Sequence, residues 1–151
     1  MSNKRGFTLI ELMVSVFIIS ILVGLAIPLA RNSVKREREI ELRQALREIR
    51  TAIDKYKDAS DRGFIQMKVD TEGYPDKLQT LVDGVQMVGA VDKKLRFLRR
   101  IPRDPMTNST DWALRAYQDD PKMNAWGGQD VFDVYTKSEG TAFDGTKYKD
   151  W

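Results

Sequence analysis

Between Phe7 and Ala30 the chain carries one ionisable side chain, Glu11, in an otherwise apolar run. Coiled as a helix at about 1.5 Å per residue, such a run covers a bilayer core, which takes about 20 residues. A charge inside hydrocarbon is strongly unfavourable unless it is paired, so Glu11 constrains every reading of the segment. Lys4 and Arg5 give the short basic start of a secretory signal peptide, but the apolar core of such a peptide is roughly 7–15 residues. No small-residue cleavage site closes the run either, because Ala26 and Ala30 lie four apart with Pro28 between them. A plain membrane anchor explains the length and leaves Glu11 without a reason. An anchor that packs against copies of itself explains both, since a neighbour then brings a positive partner. The remaining option is a Glu11 near the interface that reaches water along its own stem.

Composition narrows the classes further. The 151 residues include 25 basic and 22 acidic ones, and a net charge of +3 gives no strong pull toward nucleic acid. There is no Cys and no His. Disulfides, thiolate nucleophiles, His-based triads and most zinc sites are thereby excluded, and the expectation is a protein that is not an enzyme. The mean hydropathy of −0.45 is that of a mostly soluble chain with its apolar residues gathered at one end.

The stretch KRGFTLIELMVSVFIISILVGLAIP resembles the amino terminus of type IV pilin-like proteins. The resemblance lies in the short basic leader ending at Gly6, in Phe7, in FTLIEL, and in the proline low in the helix. It implies that a membrane-embedded prepilin peptidase cuts between Gly6 and Phe7 and methylates the new amino group of Phe7, so that the sequence as given is the precursor. It also supplies a partner for Glu11, the positive amino terminus of Phe7 on a neighbouring subunit. A paired, hydrogen-bonded charge is tolerated where a lone one is not, so only a correctly staggered neighbour satisfies both groups. Counting basic residues alone points the other way. Arg31, Lys35, Arg36 and Arg38 outnumber Lys4 and Arg5, which would put the carboxyl side in the cytoplasm. The resemblance implies the opposite orientation, because the leader must face the peptidase.

Pro28, with Gly24 before it, predicts a helix loosened or kinked at that point, to the benefit of an anchor that moves from bilayer to filament. Beyond it Leu42, Ala45, Leu46, Ile49, Ala52, Ile53 and Tyr56 recur at steps of three and four, one face of an amphipathic helix. On the opposite face Glu37 with Glu41 and Arg43 with Arg47 are like pairs. Glu39–Arg43 and Asp54–Asp58 add no consistent design, so that face reads as solvated. Arg–Glu contacts between neighbouring subunits in a filament are the sharper alternative. Unbroken from Phe7 to about Ser60, the helix would be ~80 Å long, a spine for stacked subunits.

From about Asp61 onward the chain is polar and rich in turns. A short helix is expected near Asp76–Leu81, ending at Gly84. DWALRAYQ and DVFDVYTK read as strands, joined by a long connection that holds Pro121 and Gly127–Gly128. Asp144–Gly145 is a turn signal in the terminal loop. The expected fold is α+β, with a long amino-terminal membrane-spanning helix packed on a small antiparallel β-sheet, as in pilins. Its parts are a leader at 1–6, a transmembrane and assembly helix at 7–30, an amphipathic continuation at 31–60 and a globular domain at 61–151.

IPRDP, MTNSTDWALRAY and the final DGTKYKDW are similar to the major pseudopilin of type II secretion, and the missing Cys pair departs from adhesive type IV pilins. That resemblance implies a homopolymer anchored in inner-membrane lipid, which works with an assembly platform and minor pseudopilins. It also implies calcium, a hard cation suited to oxygen ligands, in the terminal loop. The matching ligands are Ser138 and Asp144, with Asp150 nearby and Glu139 in place of a missing Asp; a turn with no ion is the alternative. Trp112, Tyr117, Trp126, Phe132, Tyr135 and Trp151 sit at strand spacing without an interleaved basic stripe. They read as core and not as a nucleic-acid platform. A surface pilus subunit and a membrane-anchored binding module that never polymerises are the alternatives in function. If Gly6 and Phe7 flank the processing site, Gly6→Val slows cleavage severely, read as retention of the longer form on gels. Wild-type processing of that variant would remove the assignment.

Overall fold

The computed structural model describes Gly6 and residues 8–90, 92–120, 123 and 125–151, without the side chains of residues 25–31. The chain folds as α1 (Leu9–Asp61), α2 (Leu78–Asp83), β1 (Val85–Gln86), β2 (Lys94–Leu95), β3 (Ala113–Arg115), β4 (Asp133–Tyr135) and a terminal 3-10 turn, Tyr148–Asp150. It divides into two compact units, Met1–Glu37 and Arg38–Trp151, and α1 contributes to both.

In the first unit the helix presents Leu9 to Gly24 to the outside on every side, with Leu9 77% and Phe17 67% exposed. Two hydroxyls in this run are satisfied within the helix: Ser15 Oγ donates to the Glu11 carbonyl at 2.7 Å and Ser20 Oγ to the Val16 carbonyl at 2.8 Å. Among the described residues no helix is long and apolar enough to cross a membrane. The described apolar side chains stop at Gly24, so the span expected at 7–30 lies partly outside them. α1 is uninterrupted past Pro28, and the expected weak point does not end the helix. The Pro28 side chain lies outside the described residues.

In the second unit the helical face is the one the spacing predicts. Leu42, Ala45, Leu46, Ile49, Ala52, Ile53 and Tyr56 are all buried, and Ala59 extends the stripe. Ile65, Leu78, Leu81, Leu98, Trp112, Val131, Val134, Ala142 and Tyr148 close over it. α2 starts two residues later than expected and ends where expected, at Gly84. Gly84 has φ 78°, and a Cβ there would meet Arg96 Cγ at 2.7 Å and the Leu95 carbonyl at 2.9 Å. That close approach lets β1 pair antiparallel with β2, Val85 opposite Leu95. Phe97 and Leu98 then donate their N–H groups to the Leu81 carbonyl, both at 3.0 Å.

β3 and β4 pair antiparallel, with Ala113, Leu114 and Arg115 opposite Tyr135, Val134 and Asp133. Each strand is three residues long, much shorter than the alternation suggests. Side chains end the ladder: Asp119 Oδ2 takes the Ala116 N–H at 2.7 Å and Asp130 Oδ1 takes that of Tyr117 at 3.0 Å. The result is an α+β chain with two separate two-stranded ladders in place of one small sheet, and its long amino-terminal helix fits the pilin-like expectation. Asp104, fully buried, ties the IPRDP turn to the end of β4. It accepts from Met106 N–H at 2.8 Å, from Thr107 Oγ1 at 3.0 Å and from Thr136 Oγ1.

Ile49, 0% exposed at the centre of the helical stripe, is the most direct test of this core. Ile49→Ala is expected to cost about 2–5 kcal/mol in denaturant unfolding. Ile40→Ala, at a position 65% exposed, should cost within about 0.5 kcal/mol.

Candidate functional site

The amino-terminal segment begins with a capped helix. Thr8 Oγ1 accepts the Glu11 N–H at 3.3 Å, and the Thr8 carbonyl accepts that of Leu12 at 3.2 Å. Thr8 is therefore the N-cap and Glu11 the third helical residue, the T-x-x-E spacing of a capping box. The sequence reading passed over Thr8, although this spacing is visible in FTLIEL. Glu11 is exposed, one turn inside the positive end of the helix dipole, and among the described residues its carboxylate has no ion-pair partner. Gly6 is exposed, and nothing lies within 4 Å of where a Cβ would be. Phe7, the other side of the expected cleavage point, lies outside the described residues.

At the other end of the chain the terminal loop is strapped to α1 by the face that reads as solvated. Glu39 Oε1 accepts the Phe143 N–H at 3.1 Å and the Tyr148 hydroxyl at 2.9 Å. One turn on, the Arg43 guanidinium lies over the Trp151 ring at 4.1 Å, with Asp144 Oδ2 at 3.6 Å. Two turns further Arg50 holds the Asp133 carboxylate at 2.7 and 3.3 Å, the Val134 carbonyl at 3.2 Å and the Trp151 main-chain oxygen at 2.6 Å. Positions 39, 43 and 50 share one side of the helix; Glu39 is half-buried there, while Arg43 keeps its solvated side at 57% exposure. Glu37, Glu41 and Arg47 are exposed as expected. The loop can lie this close because Gly140 has no side chain; a Cβ there would come within 2.9 Å of the Tyr148 ring.

The calcium ligands implied by the resemblance are already engaged. Asp144 Oδ1 accepts from Thr146 N–H at 2.9 Å and from Thr146 Oγ1 at 2.6 Å. These bonds chiefly, with a smaller contribution from Arg43, hold its carboxyl below the usual range. Ser138 Oγ accepts from Gly140 N–H at 3.3 Å, and Glu139 faces Lys149 at 3.4 Å. Among the described residues no group of three or more acidic side chains could hold a metal ion. The positive groups beside these carboxylates are Arg43, 3.6 Å from Asp144, and Lys149.

The aromatic residues divide. Trp112 and Tyr135 are core, as expected, and the Trp112 Nε1–H donates to the Pro102 carbonyl at 2.9 Å. Tyr117 and Phe132 are exposed and pack with Tyr74, and Trp126 lies at the surface with its Nε1–H on the Asp130 carbonyl at 2.7 Å. Burial pushes the Asp130 carboxyl up, because Oδ2 has no hydrogen-bond partner and only Oδ1 is served, by Tyr117 N–H.

Residues 1–27 match the family described as the prokaryotic N-terminal methylation motif. No curated protein and no solved structure matches the chain. The motif supports a type IV pilin-like chain and does not separate pseudopilins from pilins.

The strap makes a prediction about alkaline pH. Burial first, and the bond to Glu39 second, push the Tyr148 hydroxyl up to about 12. An unfolded tyrosine ionises near 10. The folded chain keeps the proton longer, so this contribution to stability is complete below about pH 10 and is lost as pH rises from there toward 12. The stability advantage of wild type over Tyr148→Phe, by denaturant titration, should therefore be smaller at about pH 11 than at about pH 9. A constant difference would show that burial and Glu39 together do not hold the proton on the hydroxyl.

Proposed function

We propose that this chain is a structural subunit of a pseudopilus, polymerised through its amino-terminal helix to drive export of folded proteins by type II secretion. The observation that carries the reading is Glu11. Among the described residues it is a carboxylate with no ion-pair partner, one turn into a helix with exposed apolar side chains all round, inside a methylation motif. Such a surface is stable in lipid or against other such helices, and not in water.

The proposed sequence of events follows from that chemistry. Residues 7–30 lie in the inner membrane, with the leader 1–6 on the cytoplasmic side and the globular part in the periplasm. A prepilin peptidase removes the leader after Gly6 and methylates the amine of Phe7. As a subunit enters the filament its helix moves from lipid to a helical bundle, where Glu11 is again in a low dielectric. Docking against the amine of Phe7 on a neighbour removes two unpaired charges together and sets the stagger. The chain has no catalytic step of its own in this scheme; peptidase, assembly platform and minor pseudopilins supply the rest. The proposed role does not depend on calcium at Ser138 and Asp144.

Glu11→Val and Glu11→Ala should still insert and be cleaved, because neither change weakens membrane partition. Filament yield should fall severely, and Glu11→Asp, one methylene shorter, should be intermediate. Co-expressed with wild type, the variants should poison assembly. Normal filament yield from Glu11→Val at wild-type protein level would return the segment to a plain anchor.

A further inference from the structure

The unit Arg38–Trp151 holds twenty basic and twenty acidic side chains, but they are not evenly spread. Lys93, Lys94, Arg96, Arg99, Arg100 and Arg103 fall within eleven residues that contain no carboxylate. All six are exposed. Among the described residues no salt bridge engages any of them. Among the described residues their one side-chain hydrogen bond is from Arg103 Nε to the Asn108 carbonyl, at 2.8 Å. Elsewhere in the unit fourteen basic side chains stand against twenty acidic ones.

A second cluster has the opposite character. Tyr74 stacks on Tyr117 with centroids 5.8 Å apart, and both meet Phe132 edge-on, at 5.3 and 5.4 Å. Tyr117 is 56% and Phe132 40% exposed, large apolar surface for residues outside the amino-terminal helix. Carboxylates lie on the Tyr74 side of the trio. Asp61 bonds Lys57, whose ammonium stands over the Tyr74 ring at 5.6 Å. Asp54 and Asp61 both act on the Tyr74 hydroxyl, and the exposed Glu72 acts on Lys57. Stacked aromatic faces rimmed by acid are the surface that a guanidinium fits, since Arg lays its plane on a ring while its N–H groups reach carboxylates.

Among the described residues the arginine segment has no counter-charge, and beside the Lys57 ammonium over Tyr74 the rings of Tyr117 and Phe132 remain exposed. We propose that the arginine segment of one subunit docks on the aromatic trio of the next, with Arg99 and Arg100 on Tyr117 and Phe132 and their charge met by the exposed Glu72 and Asp54. The two faces are different, so the contact is head-to-tail; such a contact gives a ring if its rotation closes and an open filament if it does not, and the polymer proposed above requires the open form. The aromatic rings form the centre of the contact and the carboxylates its rim. This inference rests on the polymer reading above and adds to it a contact between the globular parts, separate from the Glu11 pairing.

The test uses the full chain in cells, read as filaments sedimented after shearing, with cellular protein level as control. Arg99→Glu with Arg100→Glu should lower filament yield by about tenfold or more, a change in contact free energy of about 1.4 kcal/mol. Adding Glu72→Lys and Asp54→Lys to the same chain exchanges the signs of both faces and should restore most of the yield. Wild-type yield from the arginine double variant would overturn the proposal. Loss without rescue by the exchanged variant would overturn it equally, and would assign the arginines to a partner other than a second copy. Absence of filaments from the wild type itself would defeat the polymer reading and this interface with it. The first two failures leave that reading standing.

Discussion

α1 carries two unlike apolar surfaces along one continuous helix, and the rest of the chain is arranged around that fact. From Leu42 to Ala59 the apolar residues form a single stripe, which the globular part covers. From Leu9 to Gly24 they surround the helix and nothing in the described chain covers them. Burying a large aliphatic side chain is worth about 1.5–3 kcal/mol, so a run of exposed ones is a strong drive toward lipid or toward identical helices. A pattern confined to one face specifies a fold within the chain. A pattern on all faces specifies a destination outside it. Glu11 then decides between destinations, because lipid offers a carboxylate no counter-charge and a neighbouring processed chain does.

The carboxyl-terminal loop shows the same economy in polar groups. Glu39, Arg43 and Arg50 lie on a helix already ordered by the core, so each can fix loop atoms with little further loss of freedom. Arg50 alone joins β4 to the chain end through Asp133 and Trp151. The loop is therefore fastened by protein cations and a buried tyrosine, in the region where the resemblance implies a metal. The unit that results exposes its long basic segment and the rings of Tyr117 and Phe132, the two faces of the proposed contact between subunits.

Periodicity made the helix and its buried stripe legible, because seven residues at steps of three and four leave little choice of face. Gly84 was legible as a helix end for the same local reason. The β1–β2 pairing was not, since two-residue strands have no alternation to read and depend on the tight approach at Gly84. The strand ends were misjudged because Asp119 and Asp130 take the next ladder N–H groups, a competition that alternation does not reveal. Glu39 and Arg43 look like surface charges in sequence, and only the return of the loop gives them partners. Tyr117 and Phe132 lie at strand spacing and still face outward, because the ladder stops before them. At the amino terminus the motif around Gly6 and Glu11 was readable from residue types alone, while Thr8 needed its bond to the Glu11 N–H to be recognised as the cap.

All of this depends on a processed amino terminus, since without it Glu11 has no counter-charge in the filament. The direct measurement is mass spectrometry of the chain recovered from membranes of a host with a prepilin peptidase and of the same host without it. With the peptidase the chain should begin at Phe7 and carry one added methyl on its amino group. Without it the chain should retain Gly6 and the basic leader and lack the methyl. An identical amino terminus in both hosts would contradict the processing step and, with it, the pairing of Phe7 and Glu11.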